Sequence, residues 1–217
     1  AEKAGLELRL IHKAEYAELN ELLKSGEVDM AFSCSGPYVA GHEDFGLELL
    51  AAPVVNGTAT YQAYIIVPLD SPATSLDSLA GSTFAFTDPD SNTGCLVPTY
   101  MLALNDTTPE EFFGRVIYTY SHDNSIKSVA TGEVDGASVD SLIWEYANSV
   151  DPEYTSRTRI VARSEPFAIP PVVVRPDLDP EAKAKLKAAF LAAHEDPEGR
   201  ALLEQMHMER FIEIDDA

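Results

Sequence analysis

Short apolar runs alternate with helical segments along nearly the whole chain, and this alternation limits the fold more than any other feature. Residues 6–11 alternate apolar and polar side chains, which predicts a strand, and leucines at helical spacing follow within residues 14–24. The longest strand-like run is 58–67, and the longest helix-like run is 180–194. This order is typical of α/β proteins whose sheets are largely parallel.

The stretch 88–98, with the sequence D-P-D-S-N-T-G-C-L-V-P, joins a strand-like run at 82–86 to a helix-like run at 98–104. The first N–H groups of a helix lack internal partners and carry a partial positive charge. A strand, a small polar loop and a helix start can therefore form an anion cradle from the backbone. The alternative is an ordinary N-cap, in which Ser91 or Thr93 accepts one amide hydrogen bond.

The segment S-G-E-V-D-M-A-F-S at 25–33 recurs as T-G-E-V-D-G-A-S-V at 131–139, and both follow a strand, a polar loop and a helix. Helices that end at glycine before a buried strand often look alike by chance. The repeat nevertheless predicts that Tyr16 and His122 occupy equivalent helix starts, each ten residues before its glycine (26 − 16 and 132 − 122). Two similar lobes would direct both side chains into one cleft.

Composition excludes several classes of function. The net charge of −21, from 15 basic and 36 acidic residues among 217, disfavours nucleic acid and anionic membranes as partners. It does not exclude a small anion, which backbone amides and hydroxyls can bind. No run is apolar enough for a membrane span, and no signal peptide is visible. Two cysteines, Cys34 and Cys95, do not form a disulfide scaffold, and no pattern predicts a metal or a cofactor.

The order of the elements predicts two lobes connected by a hinge. Residues 1–66 form the first part of lobe 1, residues 67–165 form lobe 2, and residues 166–217 return to lobe 1. Two crossings between lobes would allow closure around a ligand. The first residues, 1–5, are similar to the end of a helix with its glycine stop, so the chain is expected to begin within a fold.

The stretch 88–98 resembles the D-P-x-S-[ST]-[ST]-G-x-x-x-P signature of the phosphate/phosphite/phosphonate-binding periplasmic proteins of ABC importers. The resemblance covers nearly all 217 residues. It includes the Tyr16 loop, G-E-V-D at 26–29 and 132–135, S-H-D at 121–123, S-E-P at 164–166 and D-P-E-G at 196–199.

The resemblance implies a two-lobed, type II Venus-flytrap protein of the α/β class, with a mixed, mostly parallel sheet in each lobe. It implies a monomeric, periplasmic or extracytoplasmic protein, membrane-tethered or free, that delivers a small phosphorus oxyanion from the interlobe cleft to a membrane permease. In such proteins the residues matching Ser91, Asn92 and Thr93 grip the phosphoryl oxygens. Those matching Tyr16 and His122 add hydrogen bonds, and the residue matching Tyr61 lies near the distal end of the ligand.

The sequence departs from the family pattern at three places. Asn92 replaces a hydroxyl residue with an amide that still donates. Residues 169–172 lack the acid that holds an amine in some members, and Asp140 is the only nearby candidate, which favours a smaller oxyanion. The N-terminal strand and most of the first helix of the family have no counterpart, which would leave a gap in a sheet.

Two other functions are consistent with parts of the sequence. Ser91, His122 and Asp140 have the residue types of a hydrolase triad, although the G-x-S-x-G elbow is missing. A ligand-sensing domain of a membrane receptor would keep the fold and change the output. A flanking signal peptide or lipobox would favour transport, and a flanking membrane span with a kinase or cyclase would favour sensing.

Overall fold

The computed structural model describes residues 5–215, which form two compact units. The first unit comprises the chain up to Thr60 and from Ala168 onward, and the second is Tyr61–Phe167. The lobe bounds expected from the sequence, at 66/67 and 165/166, stay predictions. Most of the helix end expected at residues 1–5 lies outside the described residues.

The α-helices have the following bounds: α1 Tyr16–Ser25, α2 Ser35–Phe45, α3 Val97–Ala103, α4 Pro109–Phe112, α5 His122–Ala130, α6 Ser141–Val150, α7 Pro180–Leu191 and α8 Pro197–Gln205. A π-helical turn spans Asn92–Leu96, and 3-10 turns span Asp77–Leu79 and Thr155–Arg157. The strands are β1 Met30–Phe32, β2 Glu48–Val54, β3 Thr60–Tyr61, β4 Ala63–Pro68, β5 Thr83–Phe86, β6 Arg115–Tyr118, β7 Gly136–Asp140, β8 Thr158–Arg163, β9 Phe167–Ala168, β10 Val172–Val174 and β11 Arg210–Ile212.

The sheet of the first unit has the strand order β1-β10-β2-β11. Its described pairs are all antiparallel, with Ala31 opposite Val173 and Phe211 opposite Pro53. Two apolar clusters pack on this sheet, one with α7 and α8 and the other with α1 and α2. The prediction of a mostly parallel sheet was wrong for this unit. The chain returns from the second unit as β10, which lies between β1 and β2 and runs antiparallel to both.

The sheet of the second unit has the order β6-β5-β7-β4-β8 and is mixed, as expected. Strands β6, β5 and β7 are parallel neighbours, whereas β4 runs antiparallel to β7 and β8. The carboxyl ends of β5, β6 and β7 therefore meet at one edge of the sheet. This edge carries the segment after Phe86, the start of α5 and the end of β7, where polar side chains of an α/β sheet can converge on a ligand.

Two local predictions failed for identifiable reasons. The strand expected at residues 6–11 is not formed, and Leu8 and Leu10 are 60% and 84% exposed. Alternation alone does not make a strand stable without a neighbour to complete its hydrogen bonds. Helix α2 was missed because Gly36, Pro37 and Gly41 interrupt any apolar period; Gly41 is needed there, since a Cβ atom would lie 2.9 Å from Leu47 Cδ2.

Candidate functional site

The turn that follows β5 is built around Ser91, and we call residues 91–96 the Ser91 turn. The Ser91 hydroxyl accepts a hydrogen bond from the Gly94 N–H at 3.1 Å, so Ser91 is a side-chain N-cap. Its carbonyl accepts from both Cys95 and Leu96 at 3.0 Å, and the Val97 N–H bonds to Asn92. This wide turn leads directly into α3, so one helix begins at Asn92. Such π-type turns are frequent at functional sites.

Thr93 lies inside the Ser91 turn with unused hydrogen-bonding groups. It is fully buried, and its hydroxyl has no partner in the described part of the chain. Its N–H likewise forms no hydrogen bond within residues 5–215, whereas its carbonyl accepts from the Ser138 hydroxyl at 2.6 Å. Buried polar groups normally have partners, and an exception requires a reason such as a ligand.

Gly94 makes the close packing of this turn possible. A Cβ atom there would lie 2.5 Å from the Thr87 side chain and 2.8 Å from the Ser91 hydroxyl. The Thr87 N–H bonds to the Gly94 carbonyl at 3.1 Å, which holds the Ser91 turn against the end of β5. Any larger residue would push the turn away from this strand.

His122 is the first residue of α5, whose N-cap is Ser121. Its Nδ1 atom accepts the Asp140 backbone N–H at 3.1 Å and lies 3.2 Å from the Thr87 hydroxyl. An Nδ1 that accepts an amide proton carries none itself, so the ring proton of neutral His122 is on Nε2. Burial lowers the pKa of His122 to about 4. At neutral pH the side chain is therefore an uncharged Nε2–H donor held in a fixed tautomer.

Acidic groups surround this edge of the sheet. Asp140, 5% exposed, ends β7 and caps α6 through a 2.7 Å hydrogen bond from the Leu142 N–H to its Oδ1. Burial raises the pKa of Asp140 to about 7. Asp88 is also buried and accepts the Asp90 N–H at 2.8 Å, and burial together with Asp88 raises the pKa of Asp90.

Tyr61 and Asn92 are joined by a hydrogen bond. The Asn92 Nδ2 donates to the Tyr61 hydroxyl at 3.1 Å, and Tyr61 is 2% exposed. The structure thus connects two residues that the sequence predicted separately as site residues. Tyr16, the other predicted tyrosine, begins α1 in the first unit and is half-buried, and its role stays a prediction.

Five predicted site residues therefore lie together in the second unit, connected by hydrogen bonds or by sharing the Ser91 turn. They are Tyr61, Ser91, Asn92, Thr93 and His122. Two members of this network, Thr87 and Ser138, were not predicted from the sequence. Each carried a signal. Thr87 directly follows a strand, and Ser138 is a polar residue within an apolar run, where it requires a partner.

The residues of a possible hydrolase triad do not form one. The Ser91 hydroxyl bonds to Gly94, and the contact between His122 and Asp140 uses the Asp140 backbone N–H. A triad requires the serine on the histidine and the carboxylate on the other ring nitrogen. Residues 5–215 also contain no cluster of His, Cys, Asp or Glu suited to a metal ion. No helix among them could cross a membrane.

The two α/β units have the fold of type II periplasmic binding proteins, as their structural neighbours show. A family model described as "ABC transporter, phosphonate, periplasmic substrate-binding protein" matches residues 1–217. The chain belongs to this family.

Two curated relatives are similar to most of this chain. The phosphonates-binding periplasmic protein of Escherichia coli K12 is 24% identical over 209 residues, which cover 94% of this chain and 62% of the relative. The phosphate-import protein PhnD of Mycolicibacterium smegmatis is 26% identical over 201 residues, covering 87% of this chain and 62% of the relative. The chain thus spans about three fifths of the length of these relatives.

Solved structures give the same fold. A binding-protein component of a Pseudomonas aeruginosa ABC phosphonate transporter superposes with a TM-score of 0.93 at 25% identity, over 99% of this chain and 73% of that one. Prochlorococcus marinus PhnD1, solved with methylphosphonate, has a TM-score of 0.88 at 18% identity, over 99% and 83% of the two chains. The second likeness concerns the fold alone.

Proposed function

We propose that this chain binds a small phosphorus oxyanion as the solute-binding part of an ABC importer. The observation that carries the proposal is the Ser91 turn, where the N–H and the hydroxyl of the buried Thr93 have no partner among residues 5–215 and lie at the beginning of a helix. A helix start of this kind favours an anion through its free donors and its dipole. Family membership supports the phosphorus chemistry of that anion.

The donors of the Ser91 turn and of His122 are uncharged. Neutral donors fixed in a buried turn can hold an anion without a cation, because each hydrogen bond to a charged group contributes about 1.5–3 kcal/mol. The overall charge of −21 slows the arrival of an anion but does not change these local contacts. Tyr16 and Tyr61 would add further contacts.

Family membership supports the proposed partner, location and ligand class. A permease of an ABC transporter is the natural acceptor of the solute, the periplasm is the natural compartment, and a monomer is sufficient for delivery. Relatives are named for phosphonates and for phosphate, and one is solved with methylphosphonate. We expect the ligand to be a phosphonate, phosphite or phosphate without an amine.

Calorimetric titration tests this proposal with phosphate, phosphite, methylphosphonate and 2-aminoethylphosphonate. We expect one of the first three to bind at one site. Replacing Thr93→Val removes the buried hydroxyl at constant shape and should weaken binding by about 1–3 kcal/mol. Thr131→Val, at an exposed threonine of the same unit, is the matched control and should bind normally. Folded protein that gives no heat with any of the four ligands would overturn the proposed ligand class.

A further inference from the structure

The helix that follows β1 is the counterpart of the helix that follows β7. Continuing the internal repeat by one residue pairs Cys34 with Asp140, and these two residues are the N-caps of α2 and α6. The Asp140 carboxylate caps α6 by accepting the Leu142 N–H at 2.7 Å, whereas the Cys34 side chain makes no capping hydrogen bond. A carboxylate of the chain thus occupies the cap position of α6, and a thiol occupies that of α2.

The first turn of α2 also has no acidic residue. Acidic side chains favour helix starts because they interact well with the helix dipole, and 36 of the 217 residues here are acidic. Within residues 5–215, every other α-helix has an acid in its first turn or at its cap, apart from α3, which follows the Ser91 turn. The start of α2 therefore shares this feature with the turn that we propose as the anion site.

Ser33 supplies a buried hydroxyl beside this helix start. Its N–H bonds to the Pro171 carbonyl at 3.0 Å, which extends the β1–β10 ladder by one residue. Side chains of a strand alternate, so Ser33 shares a face with Ala31, which packs in one apolar cluster with Tyr38 of α2. Ser33 is 3% exposed, and its hydroxyl has no partner among the residues that the structure describes. A buried polar group on the face that carries α2 thus requires a reason such as a ligand.

Gly36 adds a backbone donor in the first turn. It is the second residue of α2, and its N–H forms no hydrogen bond within residues 5–215. The next residue, Pro37, has no N–H, and its carbonyl accepts from the Asn20 side chain at 2.9 Å, which holds this turn against α1. Gly36 is only half-buried and has no side chain, so a ligand can approach its backbone closely.

We propose that the start of α2 also binds the oxyanion, with the Ser33 hydroxyl and the Gly36 N–H as donors. The oxyanion accepts hydrogen bonds at α2 as the Asp140 carboxylate does at α6. Both donors are uncharged, and the dipole of this 11-residue helix adds to their attraction for an anion. This inference rests on the proposed function, because it adds donors from the first unit to the binding of the same ligand.

A hydroxyl that is kept for a ligand has opposite effects on stability and on affinity. Burial without a partner destabilises the free protein, and a hydrogen bond to a charged ligand compensates for this. Ser33→Ala should therefore leave the thermal midpoint of the free protein unchanged or raise it, while it weakens oxyanion binding at least about tenfold. A hydroxyl that serves folding, for example through a bound water, would give the reverse pattern.

Calorimetry and thermal unfolding of the full chain test the inference, with phosphate, phosphite and methylphosphonate as the probes. Ser33→Ala is compared with wild type and with Ser25→Ala, a matched control at an exposed serine of the same unit that should bind normally. The Gly36 amide is followed by ¹⁵N NMR while the tightest of the three probes is added. We expect its proton resonance to move downfield and to saturate with the calorimetric Kd, because the N–H gains a charged acceptor.

Ser33→Ala that binds with wild-type affinity would overturn the inference, and so would a Gly36 amide that does not move at saturation. Lower thermal stability with unchanged affinity would assign Ser33 to folding alone and likewise overturn it. Ser33→Cys keeps the size of the side chain with a weaker donor, and it gives the same comparison if the alanine variant does not fold. Wild type that binds none of the three probes would instead overturn the proposed function, so the two failures are distinguishable.

Discussion

The two halves of the internal repeat, α1–β1 and α5–β7, fold alike locally. Helix α1 begins at Tyr16 and ends at Gly26, and α5 begins at His122 and ends before Gly132. Both glycines have a left-handed backbone conformation, with φ of 78° at Gly26 and 75° at Gly132. The equivalence predicted from ten-residue spacing is thus confirmed at both helix starts.

The strands that follow these helices have different surroundings. Strand β1 is at the edge of its sheet, and Phe32 is 56% exposed. Strand β7 lies in the middle of its sheet and is buried throughout. The repeat has Met30 at the first strand position and Gly136 at the equivalent position of β7. Local sequence therefore determines where each helix stops, whereas neighbouring strands determine how much room each residue has.

Substitutions at Gly136 and Met30 test whether the two strand positions differ in the room that they leave for a side chain. A Cβ atom on Gly136 would lie 2.9 Å from Leu79 Cδ1 and 3.3 Å from the Ile66 carbonyl. We expect Gly136→Met to destabilise the protein by about 3 kcal/mol or more, because a central strand cannot move aside. Met30→Ala, at the half-buried edge, should cost only about 1 kcal/mol.

Urea unfolding followed by circular dichroism measures both variants. Equal losses of stability would show that edge and centre are equally constrained, contrary to the strand order described for the two sheets.

Tyr16 and His122, which begin α1 and α5, can also be compared by their effects on oxyanion affinity. We expect His122→Ala to weaken oxyanion binding by about 1–3 kcal/mol, since it removes an Nε2–H donor fixed by Asp140 and Thr87. Tyr16→Phe removes one hydroxyl and should cost about 0.5–1.5 kcal/mol. Calorimetry with His12→Ala, at an exposed histidine, as the control measures both effects. An unchanged affinity would remove the substituted residue from the site.

The two glycines should respond almost equally to substitution. A Cβ atom on Gly26 or Gly132 would meet no atom within 4 Å, so only the left-handed backbone opposes alanine. We expect Gly26→Ala and Gly132→Ala each to cost about 1–2 kcal/mol, and asparagine at either position to cost less. Thermal unfolding of the four variants measures this. A difference of several degrees between the two alanine variants would show that the helix ends are not equivalent.

The pH dependence of stability separates His122 from Asp140. The folded-state pKa of His122, about 4, is below its ordinary value of 6.5, so its contribution is present above about pH 6.5 and is lost as pH falls toward 4. The pKa of Asp140 is raised from 3.8 to about 7, which has the opposite effect. Its contribution to folding stability is present below pH 3.8 and is lost as pH rises through 7.

The two effects oppose each other in the wild type. His122→Asn should therefore lose stability as pH rises from about 4 to about 7, and Asp140→Asn should gain stability from about 4 to about 6.5. Melting temperatures across this range test both signs. Parallel profiles for the two variants would contradict the assigned protonation states.

The sequence was sufficient for features that depend on local chemistry. The N-cap at Ser91, the helix starts at Tyr16 and His122 and the glycine stops follow from neighbouring residues. The failures involve distant partners. Residues 6–11 alternate as a strand does but have no neighbouring strand in the part of the chain that the structure describes, and the antiparallel insertion of β10 requires residues far apart in sequence. The tautomer of His122 likewise depends on Asp140, which lies on another strand.

The amide of Thr93 gives the most direct test of the central claim. It is observed by ¹⁵N NMR while methylphosphonate, or the tightest ligand found by calorimetry, is added. We expect its proton resonance to move downfield and to saturate with the calorimetric Kd, because a buried N–H without a partner gains a charged acceptor. Binding heat with an unmoved Thr93 amide, and with shifts confined to other parts of the chain, would contradict the account.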